Sequence, residues 1–126
     1  MLEKALILAA KAHTGQVDKG GAPYILHPIR VMLACEGEKE KIVALLHDTL
    51  EDTALTAADL RCAGFPEEIV QAVCCLTRGQ KEDYMEYIAR ICENALAARV
   101  KYADLQDNLD IRRIPNPTEK DFARIR

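Results

Sequence analysis

The fold is decided by Ile42-Val43-Ala44-Leu45-Leu46-His47-Asp48-Thr49-Leu50-Glu51-Asp52-Thr53, an apolar run that ends in ionisable side chains. At about 100° per residue, the apolar side chains surround most of a helix, which predicts that this helix is buried. Residues four apart lie side by side on a helix, so His47 pairs with Glu51. The same spacing pairs Asp48 with Asp52. Carboxylates this close repel one another unless a cation lies among them, and a metal ion is the simplest such cation.

Length and composition predict one soluble domain over residues 1–126. The hydrophobic fraction is 49% and the charged fraction is 29%, which are ordinary values for a globular domain. The longest apolar runs fall short of the roughly 18 residues that would span a bilayer. Met1-Leu2-Glu3-Lys4 leads directly into an amphipathic pattern, without the features of a secretory signal. We therefore expect a cytoplasmic protein that does not enter a membrane.

Charge and aromatic content argue against a nucleic-acid polymer as a partner. The net charge is −3, and the chain has no Trp, two Phe and four Tyr, so it lacks the basic surface and the abundant aromatic side chains that are typical of nucleic-acid binders. The cysteines are odd in number and contain no C-x-x-C pair, which predicts neither a disulfide framework nor a cysteine zinc site. We expect reduced core thiols at Cys35, Cys62, Cys74, Cys75 and Cys92.

Apolar residues recur at intervals of three and four through most of the chain, and no segment alternates like a strand. A first helix is predicted over residues 2–13. Residues 14–24 contain three glycines and a proline, which predicts a loop that approaches a ligand closely. Thr56 and Asp59 predict a capping box at the start of a later helix. Pro115 and Pro117 end the last long helix, so the whole pattern predicts a compact all-α bundle.

Two histidines and two aspartates are candidates for a metal site. His27 lies at a predicted helix start, the pair His47-Asp48 lies in the central segment, and Asp104 lies on the apolar stripe of the last long helix. Two imidazoles and two carboxylates suit Mn²⁺, Fe²⁺ or Zn²⁺. From spacing alone two structural interpretations stay open, in which Asp104 pairs with an arginine and His27 caps its helix.

Other residues receive structural interpretations. His13 is expected to cap or pack at a helix end, and Tyr84 and Tyr87 are expected in the core. The last segment is basic, which predicts either a rim that attracts phosphate or a solvated surface. Its basic residues are Arg112, Arg113, Lys120, Arg124 and Arg126.

Three segments carry spaced motifs: His13-x-Gly15-Gln16-x-x-Lys19-x-Gly21-x-Pro23-Tyr24-x-x-His27-Pro28, Ala44-Leu45-Leu46-His47-Asp48-x-x-Glu51-Asp52-Thr53 and Val100-Lys101-x-Ala103-Asp104-x-x-x-Asn108. Their order and intervals resemble those of the RelA/SpoT-type hydrolase domain, a compact all-α HD-domain helical bundle. The three motifs together cover nearly the whole chain. A two-residue His-Asp pair alone would be uninformative, whereas three ordered motifs are specific.

The resemblance implies an activity and a set of site residues. Such domains bind Mn²⁺ and remove the 3′-pyrophosphate from guanosine tetra- or pentaphosphate, so a small nucleotide is the implied partner. The implied residues are the metal ligands His27, His47, Asp48 and Asp104, the catalytic carboxylates Glu51 and Asp52, and the substrate contacts Lys19, Tyr24 and Asn108.

Two departures from the family pattern bear on the substrate. Asp18 stands where the family usually has an arginine against the guanine base, so we expect it to repel a nearby phosphate and to weaken affinity for guanosine tetraphosphate. Gln106-Asp107 replaces the usual Leu-His or Leu-Tyr. Two alternatives therefore stay open, an HD phosphohydrolase acting on another nucleotide or phosphate ester and a non-catalytic nucleotide-binding module.

A homodimer is left open for the assembly, and pyrophosphokinase activity is not expected because the chain is too short for the neighbouring synthetase domain.

Overall fold

The computed structural model describes residues 1–109, which form eight α-helices. In chain order they are α1 (Leu2–Ala12), α2 (Leu26–Ala34), α3 (Glu38–Leu46), α4 (Thr49–Asp52), α5 (Ala57–Cys62), α6 (Glu67–Cys75), α7 (Tyr84–Cys92) and α8 (Ala95–Asn108). The predicted all-α fold is confirmed. Residues 1–109 contain no β-strand, and an isolated antiparallel bridge joins Val17 to Pro23. None of the eight helices combines the length and the apolar character needed to cross a bilayer.

Helix α3 lies at the centre of the bundle. It packs against α1, α2, α6 and α8, and every residue from 42 to 46 is buried. Because neighbours surround residues 42–46, this part of the helix needs apolar side chains on every side and not on one stripe. Leu45 and Leu46 are fully buried, and replacing either by alanine should cost about 2–5 kcal/mol of stability. The predicted burial of this segment is confirmed.

The prediction of one continuous helix through residues 42–53 is wrong. Helix α3 ends at Leu46, and α4 begins at Thr49. The reason is that side chains take the carbonyl groups at the end of α3. Thr49 Oγ1 donates to the Leu46 carbonyl at 2.8 Å, and His47 Nδ1 donates to the Ala44 carbonyl. The turn at His47-Asp48 therefore separates the buried part of the segment from Glu51 and Asp52, which are exposed.

The loop between α1 and α2 is folded back on itself. Gly15 and Gly21 have φ angles of 86° and 84°, a region that glycine adopts without the penalty that other residues incur. The Tyr24 N–H donates to the Gln16 carbonyl at 2.8 Å, which closes the loop at its base. Tyr24 and the start of α2 are thereby held next to α1.

Several local expectations can be checked directly. Thr56 and Asp59 form the predicted capping box at the start of α5. The expectation of core thiols holds for Cys35 but is wrong for Cys62 and Cys92, which are exposed. Both lie in the last turn of a short helix whose other face packs on the core. Pro115, Pro117 and the basic residues Arg112, Arg113, Lys120, Arg124 and Arg126 lie outside the described residues.

Candidate metal centre

Three separate parts of the chain bring His27, His47 and Asp104 together. His27 lies in the first turn of α2, His47 at the end of α3, and Asp104 in α8. One ligand atom from each of the three lies within 4.8 Å of the others, and all three residues are buried. Asp104 Oδ1 is 2.8 Å from His27 Nε2 and 3.2 Å from His47 Nε2. The two histidine nitrogens therefore face one carboxylate in the interior of the bundle.

Asp48 completes the set at the open side. Its Oδ2 lies 3.1 Å from His47 Nε2 and 3.8 Å from His27 Nε2. The side chain is 19% exposed, whereas that of Asp104 is 7% exposed, so Asp48 stands between the buried nitrogens and solvent. Two imidazole nitrogens and two carboxylates suit a divalent transition metal, and the donor set fits such an ion.

Groups outside the four residues fix their orientation. His47 Nδ1 donates to the Ala44 carbonyl, so its Nε2 is the nitrogen left for a metal. The Tyr24 hydroxyl donates to Asp48 Oδ2 at 2.5 Å. Asp104 receives hydrogen bonds from Lys101 Nζ at 3.0 Å and from Asn108 Nδ2 at 3.3 Å. Such outer contacts are typical of metal sites, in which they hold each ligand in one orientation.

The site is strongly polarised. Burial alone would raise the pKa of Asp48, but the charge of His47 and hydrogen bonds from His47 and Tyr24 outweigh burial and lower this pKa to about 2. Burial would likewise raise the pKa of Asp104, and hydrogen bonds from His27 and His47 bring it far below its ordinary value. Burial would lower the pKa of His47, but the nearby aspartates raise it well above its ordinary value. Both carboxylates are thus ionised and require positive charge beside them.

Glu51 and Asp52 lie beside this centre and not within it. Both are exposed, and neither belongs to the buried group of metal donors. Burial of part of the side chain and repulsion from Asp52 and Asp48 raise the pKa of Glu51. Partial burial and repulsion from Asp48 raise the pKa of Asp52 in the same way. Glu51 and Asp52 therefore do not converge with His47 and Asp48 on one point. They interact with Asp48 through charge repulsion across the turn at residues 47–48.

A cavity of about 630 Å³ opens beside the candidate metal ligand His27, a volume typical of small-molecule sites. All three predicted substrate contacts, Lys19, Tyr24 and Asn108, line it. Tyr84 also lines it and is 46% exposed, so the expectation that Tyr84 lies in the core is wrong. Tyr84 begins α7 at the mouth of the cavity, whereas Tyr87 lies one turn on and is buried.

Asp18 lines the cavity, and one oxygen of its carboxylate accepts hydrogen bonds within its own loop. Its Oδ1 accepts hydrogen bonds from the N–H groups of Gly20 at 2.8 Å and Ala22 at 3.0 Å. Side chains of this type commonly organise tight turns. The aspartate that departs from the family pattern is therefore part of what shapes the lip of the cavity.

The sequence assigned no role to Lys101, whereas the expectation that His13 caps or packs at a helix end is confirmed, because His13 is the C-cap residue of α1 and is buried. Lys101 lies three residues before Asp104 in α8, so helical spacing could have revealed its contact with that carboxylate. His13 is 2% exposed, and its ring centroid lies 4.9 Å from that of Tyr24. Within residues 1–109 its Nε2 has no hydrogen-bond partner, while its Nδ1 pairs with Gln16 Oε1 at 2.9 Å. Its position depends on the folded loop, which spacing does not reveal.

Comparison with known sequences finds relatives that are named as a pyrophosphokinase and as a pyrophosphohydrolase. No protein-family model matches the chain. It is 30% identical to a GTP pyrophosphokinase of Myxococcus xanthus, over 99% of this chain and 18% of that protein. It is 32% identical to a guanosine-3′,5′-bis(diphosphate) 3′-pyrophosphohydrolase of Aquifex aeolicus, over 86% of this chain and 17% of that protein. The chain thus spans less than a fifth of the length of these curated relatives.

Comparison with solved structures agrees. The chain matches, with a TM-score of 0.77 and 26% identity, a structure described as a metazoan ortholog of SpoT that hydrolyses ppGpp and plays a role in starvation responses. The match covers 95% of this chain and 76% of that chain. The similarity therefore extends over nearly the whole chain and is not confined to the motif-bearing segments.

Proposed function

Because the chain belongs to the RelA/SpoT-type HD hydrolase domains, we propose that it is a metal-dependent pyrophosphohydrolase that releases the 3′-pyrophosphate of a guanosine tetra- or pentaphosphate. The observation that carries this proposal is the position of the buried donors of His27, His47 and Asp104, within 4.8 Å of one another, beside a cavity of about 630 Å³. Hydrolysis consumes one water and yields pyrophosphate and a nucleotide with a free 3′-hydroxyl.

The proposed cofactor is Mn²⁺, held by His27, His47, Asp48 and Asp104. A divalent ion bound there supplies Lewis-acid polarisation of a phosphoryl oxygen and makes water more acidic. Asp48 and Asp104 contribute the negative charge that holds it, and both are ionised at neutral pH because their pKa values are lowered. The borderline nitrogen and oxygen donor set supports a first-row transition metal over Ca²⁺.

Residues of the cavity wall bind and orient the substrate in this proposal. Lys19 and Lys101 line the cavity and supply positive charge for phosphate groups. Glu51 and Asp52 are the proposed proton-transfer groups. Their raised pKa values bring them closer to neutral pH, where a carboxylate exchanges protons with a substrate more effectively.

A second candidate substrate class is favoured by the loop geometry. An arginine against guanine would need to point into the cavity, whereas Asp18 folds back onto Gly20 and Ala22. Asp18 therefore does not supply that contact with the base, and another nucleotide or a phosphate ester is the alternative substrate. The partner in either case is a free small nucleotide.

We also propose a cytoplasmic location, and a homodimer remains a prediction to be checked by light scattering.

One screen tests the activity and its substrate. Purified protein with Mn²⁺ is incubated with a panel of nucleotides that includes guanosine tetraphosphate, and released pyrophosphate and orthophosphate are measured separately. We expect pyrophosphate from a 3′-diphosphate nucleotide and none with the matched variant Asp104→Ala. Release of orthophosphate alone would favour the phosphate-ester alternative. No turnover of any nucleotide, together with nucleotide binding, would instead identify a non-catalytic binding module.

A further inference from the structure

We infer that Asp107 is the positioning residue of the metal centre, which holds His27 so that its Nε2 faces the ion. The inference rests on the metal site proposed above and concerns a residue outside the four proposed ligands. Asp107 Oδ2 lies 2.6 Å from His27 Nδ1. On the other side of the same ring, His27 Nε2 lies 2.8 Å from Asp104 Oδ1. The imidazole is therefore held between two carboxylates of one helix.

The helical spacing explains this arrangement. Asp104 and Asp107 are three residues apart on α8, and His27 and Arg30 are three residues apart on α2, so each pair lies on one face of its helix. These faces meet where α2 packs against α8. Arg30 Nε donates to Asp107 Oδ1 at 2.8 Å, which leaves Oδ2 for the imidazole. Asp107 is thus fixed by one residue of α2 and itself fixes another.

The chemical consequence follows from the two ring nitrogens. A neutral imidazole has one N–H, and an anionic acceptor at Nδ1 keeps the proton on that nitrogen. The lone pair is then on Nε2, which faces Asp48 and Asp104. A carboxylate acceptor also increases the electron density of the ring, which strengthens its bond to a metal.

The two histidines differ in what holds them. His47 Nδ1 donates to the backbone carbonyl of Ala44, an acceptor that side-chain substitution does not remove. His27 relies on the side chain of Asp107, which is 10% exposed. Of the two histidines, His27 is therefore the one whose orientation depends on a side chain that a single substitution can remove.

The test is a metal titration of apo protein. Asp107→Leu removes the acceptor, and we expect its Mn²⁺ affinity to fall by about 10- to 100-fold. Asp107→Asn keeps a neutral acceptor and should lose less. Glu36→Gln, an exposed acid at the end of α2, is the matched control and should bind like the parent. Melting temperatures of all variants show whether each is folded.

Arg30→Met separates positioning from general packing. It removes the contact between Arg30 and Asp107 but leaves the imidazole contact, so we expect a change in Mn²⁺ affinity of about twofold at most, as for a part-exposed ion pair. If Arg30→Met loses as much affinity as Asp107→Leu, Asp107 acts through packing of α2 on α8, and the inference fails.

A spectroscopic readout follows His27 itself. In Zn²⁺-loaded parent protein, we expect ¹⁵N-labelled His27 to show a protonated, strongly hydrogen-bonded Nδ1 and a metal-bound Nε2, and this signature should be lost in Asp107→Leu. An unchanged signature and an unchanged affinity in Asp107→Leu would overturn the inference while leaving the proposed function intact. Failure of the parent itself to bind Mn²⁺ or Zn²⁺ would overturn the metal site on which both rest.

Discussion

The Tyr24 hydroxyl donates a hydrogen bond of 2.5 Å to Asp48 Oδ2. Burial, and then the negative charge of Asp48, raise the pKa of Tyr24 well above its ordinary value, so the phenol remains a neutral donor at physiological pH. Tyr24→Phe removes this donor, and we expect Mn²⁺ affinity to fall by about tenfold, as for other outer contacts of metal ligands. Tyr102→Phe changes an exposed tyrosine on α8 and is the control. Equal affinity in both variants would show that Tyr24 only lines the cavity.

Glu51→Gln and Asp52→Asn should separate catalysis from binding. Both side chains lie outside the buried donor group, so metal and substrate affinity should remain near the parental values. Loss of a proton-transfer group typically lowers turnover by about 10²–10⁴-fold. Glu93→Gln, an exposed acid that follows α7, is the control. Parental turnover in both variants would make the carboxylates structural, and loss of metal would make them ligands.

The same two substitutions should raise the stability of the metal-free protein. Glu51 and Asp52 have raised pKa values in the folded protein because burial and neighbouring aspartates disfavour their ionised forms. The free-energy cost of ionising these carboxylates is therefore present above their folded-state pKa values. This cost disappears as the pH falls below those values. We expect Glu51→Gln to melt at a higher temperature than the parent at pH 7, and the difference to shrink toward pH 4. A lower melting temperature at pH 7 would contradict this.

The parts of the fold that sequence predicts are those set by local chemistry. The capping box of Thr56 and Asp59 needs only four consecutive residues, and the burial of residues 42–46 follows from their unbroken run of apolar side chains. The break after Leu46 depends on whether Thr49 and His47 bond to carbonyl groups one turn earlier. The pattern of apolar residues is the same whether or not the helix breaks after Leu46. This pattern therefore predicted one longer helix.

The candidate site shows the same difference between local features, which the sequence predicts, and contacts between distant residues. His27 and Asp104 are 77 positions apart, and spacing alone left open a helix cap for one and an arginine partner for the other. Their proximity depends on the packing of α2 against α8, which the resemblance implied and helical periodicity did not. The role of Asp107 was also missed, because a departure from a family pattern does not reveal a new contact in the interior.

The hydrogen bonds of Asp18 predict that its replacement by arginine weakens the binding of guanosine tetraphosphate. Charge repulsion alone would predict the opposite. Asp18→Arg would remove the acceptor for the N–H groups of Gly20 and Ala22, so we expect KM for guanosine tetraphosphate to rise by about fivefold, as for the loss of two hydrogen bonds worth about 0.5 kcal/mol each. Asp18→Asn keeps an acceptor and is the control. Faster exchange of the Gly20 and Ala22 amide hydrogens should accompany the change. An improved kcat/KM in Asp18→Arg would instead support the expectation that Asp18 weakens binding of guanosine tetraphosphate by repelling its phosphate groups.

Lys101 should bind phosphate without holding the metal. Its Nζ lies 3.0 Å from Asp104 Oδ2, and it lines the cavity. Burial would lower the pKa of Lys101, but the charge of Asp104 outweighs it and raises this pKa, so the ammonium remains charged at physiological pH. Lys101→Met removes a charged hydrogen-bond donor worth about 1.5–3 kcal/mol, which corresponds to a rise in KM of about 10- to 100-fold. Metal affinity should fall less than in Asp107→Leu, because Asp104 keeps the hydrogen bond from Asn108 and its position beside His27 and His47. Lys81→Met, at an exposed position, should leave KM unchanged. A Lys101→Met protein that loses metal but binds nucleotide normally would assign Lys101 to the support of Asp104 instead.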